Sequence, residues 1–193
     1  LLSELSSTPS DINEHVLTLY ELALQCSAVL ELGMRYGVST RALLCAQPEI
    51  LYTVENNPIE FDVEAVGKLA KLLETEWVFI NWDSREVCVP PRDMLFVDTL
   101  HTGEQVKAEL LSLSGSTKKW IVFHDTETYG YVSELGGFNS TGLRHGMYKF
   151  LDAGGKEHWK ETKHFTNNNG LTIWERIGEW TPDCLSVPYL QKT

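Results

Sequence analysis

Acidic residues recur where apolar runs end in this chain. Glu31 stands at the end of AVLEL, Glu55 closes ILYTVE, Asp83 closes WVFINWD, Asp98 closes DMLFVD, and His124-Asp125 closes WIVFHD. One acid after an apolar run is ordinary, but five on one rim describe a lined cleft rather than a solvated edge. Glu55 follows Glu31 by 24 positions, the spacing at which an acid ending a second strand accepts hydrogen bonds from both hydroxyls of a ribose. His101 lies three residues after Asp98, and an imidazole exchanges protons near neutrality because its ordinary pKa is about 6.5. Each residue also has a plainer reading. Glu55 could be an exposed acid before the turn NNP, Asp83 a helix cap, His101 the cap of a helix starting near Gly103, and His124 a half-buried histidine bonded to backbone.

The elements that must carry these residues alternate. Residues 11–26 show helical spacing, with Ser10 or Asp11 as cap and Glu14 as capping-box partner of Asp11. A strand (28–32) and a helix (38–46) follow, then a strand (50–55), a helix (60–74) and a strand (77–83). The strand 93–98, the helix 103–114 and the strand 120–125 continue the pattern. Strands alternating with helices of this length predict right-handed crossovers and a mainly parallel sheet covered on both faces. After a short helix at 142–151 come two strand-like runs, HWKETKHF and LTIWERI, joined by TNNNG. Asn169-Gly170 predicts a tight turn, so the sheet should close with an antiparallel hairpin. The expectation is a single α/β domain over 1–193, with a core at 11–177 and a tail at 178–193.

Composition narrows the partners. A formal charge of −11 over 193 residues, with no run of more than two basic residues, argues against nucleic acid or an anionic membrane. Cys26, Cys45, Cys88 and Cys184 are widely spaced, which fits free thiols in a reducing cytoplasm better than a disulfide scaffold. The opening LLSELSSTPSD is too short and polar for a signal peptide or membrane span, and residues before Leu1 are left open. A homo-oligomer is also left open.

The turn after the first strand reads Glu31-Leu32-Gly33-Met34-Arg35-Tyr36-Gly37-Val38-Ser39. Its glycine spacing differs from G-x-G-x-x-G, which disfavours a nicotinamide oxidoreductase. It resembles the first motif of the seven-stranded S-adenosylmethionine-dependent methyltransferases, E/D-x-G-x-x-x-G-x-S. The resemblance implies a Rossmann-like, doubly wound sheet in the order 3-2-1-4-5-7-6. It implies S-adenosylmethionine held by Glu31, Gly33, Gly37, Ser39, Glu55, Asp83, Ser84 and Asp98, with Asp83 and Ser84 at the adenine and Trp82 beside them.

Asp98-x-x-His101 with His124-Asp125 further resembles the metal-assisted small-molecule O-methyltransferases, the branch of macrolide-sugar O-methyltransferases and cephalosporin-hydroxylase-like proteins. That likeness implies Asp98 and Asp125 as ligands of a divalent cation and His101 as general base. His124 stands where that branch has an acid. It either shifts the preference from Mg²⁺ toward Mn²⁺, Zn²⁺ or Fe²⁺ or does not ligate. The expected reaction is methylation of a sugar or other small hydroxylated metabolite, with residues 126–139 as a lid over the acceptor. The same residues acting without metal, or a catalytically silent cofactor-binding scaffold, are the alternatives.

Overall fold

The computed structural model describes residues 1–57, 62–137 and 140–181. Its strands are β1 (Ala28–Leu32), β2 (Ile50–Val54), β3 (Glu76–Ile80), β4 (Arg92–Val97), β5 (Thr117–His124), β6 (Trp159–Phe165) and β7 (Leu171–Arg176). They form one sheet in the order β3-β2-β1-β4-β5-β7-β6. The first five run parallel, and the β6–β7 hairpin joins them antiparallel to β5, as the Asn-Gly turn predicts.

The helices are α1 (Leu2–Ser7), α2 (Val16–Ala23), α3 (Val38–Cys45), α4 (Val63–Leu72), α5 (Gly103–Leu113) and α6 (Leu143–Asp152). Strand alternation sorts the core into two layers. Val29, Leu51, Met94, Phe96 and Val122 pack against α2, α3 and α4, while Leu30, Leu32, Leu95, Ile121 and Phe123 pack against α5 and α6. Every residue of β4 is buried, the apolar run 94–97 and also the charged Arg92 and Asp93 before it. No helix among the described residues is long and apolar enough to cross a membrane.

The first helix departs from its expected form. A 3₁₀ turn, Asn13–His15, leads into α2, and the proposed capping box does not form. Asp11 pairs instead with the Arg35 guanidinium at 2.8 Å, and Glu14 accepts from the Asn167 amide at 2.6 Å. Long-range partners of full charge or good geometry have displaced local capping. The short α1 has no counterpart in the sequence reading; it buries Leu5 against Val16 and Ala42. Asp62 caps α4 by accepting from the Ala65 amide at 2.9 Å, while Glu60 and Phe61 lie outside the described residues. β3 stops at Ile80, three residues short of Asp83. Cys26, Cys45 and Cys88 are free, and Cys184 lies outside the described residues.

One acid ties the layers together. Glu31 sits on the β1 face that α3 covers and is fully buried. The Ser39 hydroxyl donates to its Oε1 at 2.6 Å, and Thr40 and Thr53 donate to its Oε2 at 2.8 and 2.9 Å, joining β1, α3 and β2. Burial pushes the Glu31 carboxyl up to about 7 from an ordinary 4.5, and the three hydroxyls only partly oppose this. A raised carboxyl pKa contributes stability that is complete below the unfolded value and lost as pH rises to the folded one. Glu31→Gln removes this dependence. Raising the pH from 4.5 to 7 should therefore shift the stability difference by about 3 kcal/mol in favour of Gln. Urea unfolding of both proteins across that range checks it, and parallel profiles would refute it.

Candidate active site

A cavity of about 680 Å³ opens over the carboxyl ends of the parallel strands, the place where open α/β sheets bind ligands. Gly33, Glu55, Asp83, Ser84, Asp98, His101 and Asp125 line it. Glu31, Gly37, Ser39 and His124 lie outside its wall. Glu31 and Ser39 bond each other beneath it. Gly37 precedes α3 with φ 69°, its N–H donating to the Met34 carbonyl at 2.6 Å.

The β1 turn owes its path to Gly33. At φ 82°, a Cβ here would fall 2.0 Å from the Asp98 carbonyl oxygen, so only glycine lets the turn pass under the end of β4. Glu55 then holds the turn from β2: its Oε2 accepts from the Met34 and Arg35 amides at 3.1 and 3.3 Å, and its Oε1 from Asn57 at 2.8 Å. Trp82, whose amide shares the Ile80 carbonyl with that of Glu55, is 58% exposed on the cavity wall and available to a planar ligand. Asp83 caps no helix. Hydrogen bonds from the Arg85 guanidinium, at 2.5 and 2.9 Å, pull its carboxyl down to about 2. Ser84 donates to the buried Glu109 at 2.5 Å and accepts from Gln105 at 2.9 Å. Thr99 and Gln105 also donate to Glu109, so this acid orders the cavity wall from behind.

The reactive cluster forms where β4 and β5 end. Their parallel register pairs Val97 with Phe123, which brings Asp98 beside His124 and Asp125. His101 Nε2 lies 2.8 Å from Asp125 Oδ2 and 3.4 Å from Asp98 Oδ1. His124 Nδ1 lies 3.3 Å from Asp98 Oδ1 and 3.4 Å from Asp125 Oδ2, while its Nε2 faces the Asn168 carbonyl at 3.3 Å. Burial disfavours charge on both rings, but the two carboxylates outweigh it, raising His101 to about 10 and His124 to about 11. Asp98 is correspondingly held far below its ordinary value: burial opposes its charge, but His124 and His101 prevail.

Donor atoms of Asp98, His101 and Asp125 lie within 4.8 Å of one another, so these three could hold a metal ion. His124, which the sequence reading left either as a ligand or as a non-ligand, is not in this group, and its side chain is fully buried. Asp125 Oδ1 is buried with no partner, an open acceptor that a cation would satisfy. The backbone at Asp125 is left-handed, φ 57°, a conformation that aspartate and asparagine tolerate better than most non-glycine residues and that clusters at functional sites. His101 does not cap α5; Thr102 does, accepting from the Gln105 amide at 3.1 Å.

The sequence reading missed Glu134, whose Oε2 meets His101 Nδ1 at 2.9 Å, and Tyr129, whose ring stacks on His101 at 4.8 Å. Both fall in the expected lid, 126–139, of which Phe138 and Asn139 lie outside the described residues. Arg35, also on the wall, carried no earlier assignment.

Residues 30–126 match the family described as a methyltransferase domain. The chain belongs to the S-adenosylmethionine-dependent methyltransferases. No curated protein matches it in sequence. Among solved structures, the O-methyltransferase TomG from Streptomyces achromogenes, involved in tomaymycin synthesis and in complex with SAM, is 19% identical. The match covers 92% of this chain and 89% of TomG, with a TM-score of 0.62. The O-methyltransferase from Bacillus cereus in complex with SAH is 15% identical over 91% of this chain and 86% of its own, TM-score 0.63. The N-methyltransferase NodS from Bradyrhizobium japonicum WM9, with S-adenosyl-L-homocysteine, is 14% identical over 92% and 97%, TM-score 0.60. At these identities the likeness is one of fold.

The methyltransferase cavity fits its cofactor in kind. Its volume falls among small-molecule sites, and its acids complement a cationic sulfonium. Asp125→Asn should retain the left-handed backbone, which asparagine tolerates, while removing a charge both imidazoles share. Both ring pKa values should fall from about 10 and about 11. NMR titration of the histidine rings checks this, and unchanged values would show that Asp125 does not govern them.

Proposed function

We propose that the protein moves the methyl group of S-adenosylmethionine to a hydroxyl of a small hydroxylated metabolite, a sugar or similar polyol. The observation that carries this reading is the placing of His101 on the cavity wall with Nε2 between Asp98 and Asp125. The methyl donor is already activated, so the chain's main tasks are alignment and removal of the acceptor's proton. In this reading Glu55 accepts the ribose hydroxyls, Gly33 admits the cofactor to the turn, and Trp82, Asp83 and Ser84 surround the adenine. Gly37, Ser39 and Glu31 support that turn from behind.

With both carboxylates bonded to it, His101 keeps its own proton and is a poor base. A divalent cation held by Asp98, Asp125 and the imidazole edge between them would supply positive charge that lowers the acceptor hydroxyl's pKa and orients it. With Nε2 on that cation His101 would serve as ligand and not as base, and the proton of the acidified acceptor hydroxyl would leave to solvent. His124, bonded to both acids and to the hairpin carbonyl, keeps the carboxylates aimed.

Glu55→Ala should weaken S-adenosylmethionine binding by about 1–3 kcal/mol, the effect of leaving buried hydrogen-bonding groups unpaired. Calorimetry reads this directly, and unaltered affinity would remove Glu55 from the cofactor site. His101→Ala should leave cofactor affinity nearly intact and slow methyl transfer by about 10²-fold or more. Turnover of a panel of hydroxylated acceptors, with labelled cofactor, decides the point. Equal rates in mutant and wild type would reduce His101 to a packing residue.

A further inference from the structure

Three contacts join Glu134 to His101. The Glu134 N–H donates to the His101 carbonyl at 3.2 Å. Its Oε2 accepts from the His101 amide at 3.3 Å and meets ring Nδ1 at 2.9 Å. Glu134 therefore grips the residue at both main-chain groups and at the ring edge that faces away from Asp98 and Asp125.

The ring's orientation needs this grip. Tyr129 stacks on His101 with planes 9° apart, which fixes the plane of the imidazole. A half-turn about the Cβ–Cγ bond leaves that stack intact yet puts a carbon opposite Glu134 and moves Nε2 off Asp125. A group that bonds Nδ1 therefore selects the observed orientation together with Asp125 at Nε2, and the partner of one ring nitrogen settles what the other presents. Glu134 is itself braced. Val132 bridges to Thr141, the Ser140 hydroxyl donates to Ser133 Oγ at 2.6 Å, and the Leu135 amide donates to that same oxygen at 3.1 Å.

We propose that Glu134 is the positioning residue of the site: it accepts from His101 Nδ1 and so presents Nε2 to the Asp98–Asp125 pair. Because Glu134 rides on the segment that leaves β5, seating that segment and aiming His101 are one event. The proposal's metal-affinity consequence rests on the function proposed above, whereas the ring orientation does not.

The test compares wild type, Glu134→Gln and Glu134→Ala by ¹H–¹⁵N NMR of the histidine rings and by Mn²⁺ titration. In wild type the His101 Nδ1–H should give a downfield, exchange-protected signal. Glu134→Gln keeps an acceptor oxygen and should retain it; Glu134→Ala should lose it at unchanged thermal stability. Mn²⁺ affinity should fall about 10–100-fold in Glu134→Ala, with most of the loss recovered in Glu134→Gln. A ring signal unaltered in Glu134→Ala overturns the proposal, as does wild-type Mn²⁺ affinity in that variant. If wild type binds no Mn²⁺, the metal reading fails, and the ring signal alone decides the role of Glu134.

Discussion

Asp98 and Asp125 are driven together by the sheet. They follow adjacent parallel strands whose backbone pairing ends at Val97 and Phe123, and oxygen atoms of the two carboxylates lie within 4.8 Å. Two like charges at that range repel by about 3–4 kcal/mol at an effective dielectric of 20. The repulsion is relieved only because two imidazoles reach the same oxygens, one from above and one from below. The surrounding structure serves that arrangement. Gly33 leaves room for the Asp98 carbonyl, the left-handed turn at Asp125 directs its side chain inward, and Asn168 and Glu134 hold the outer edges of the two rings.

Much of this was legible in the chain. Apolar runs and acids in alternation marked the strands and their rim, and Asn169-Gly170 marked the hairpin that ends the sheet. Less was legible where a side chain's face, not its position along the chain, decides its role. Glu31 looked like a rim acid, but period-two alternation turns it toward α3, where Ser39 and Thr40 already wait. Asp83 and Ser84 sit at the rim as expected, yet Arg85 and Glu109 occupy their polar atoms. Glu109 is 25 residues from Ser84 and Glu134 is 33 from His101. No local spacing announces such pairs; only the packing of α5 on the sheet and the return of the post-β5 segment create them.

The two buried acids, Glu31 and Glu109, form a natural contrast with the pair at the rim. Each is ringed by neutral donors and fully buried, and burial raises its pKa above the ordinary carboxyl range. Asp98 and Asp125 meet histidines instead, and their pKa values fall. Burial thus favours the neutral form of the acids that fasten elements, and the histidines favour the charged form of those at the rim. That division suits a site whose ligand carries a positive sulfonium.

The hairpin turn reaches across the whole chain. Asn167 bonds Glu14 and His15, Asn168 bonds Ser10 and Glu14, and the Asn168 carbonyl steadies His124. During synthesis on the ribosome, the five parallel strands and their acids emerge before this turn exists. A nascent chain ending before Asn167 carries both carboxylates and both reactive imidazoles, yet lacks the carbonyl that fixes one of those rings. The order of translation therefore leaves the floor of the site as the last part to set, and a chain released early would own the chemistry without its alignment.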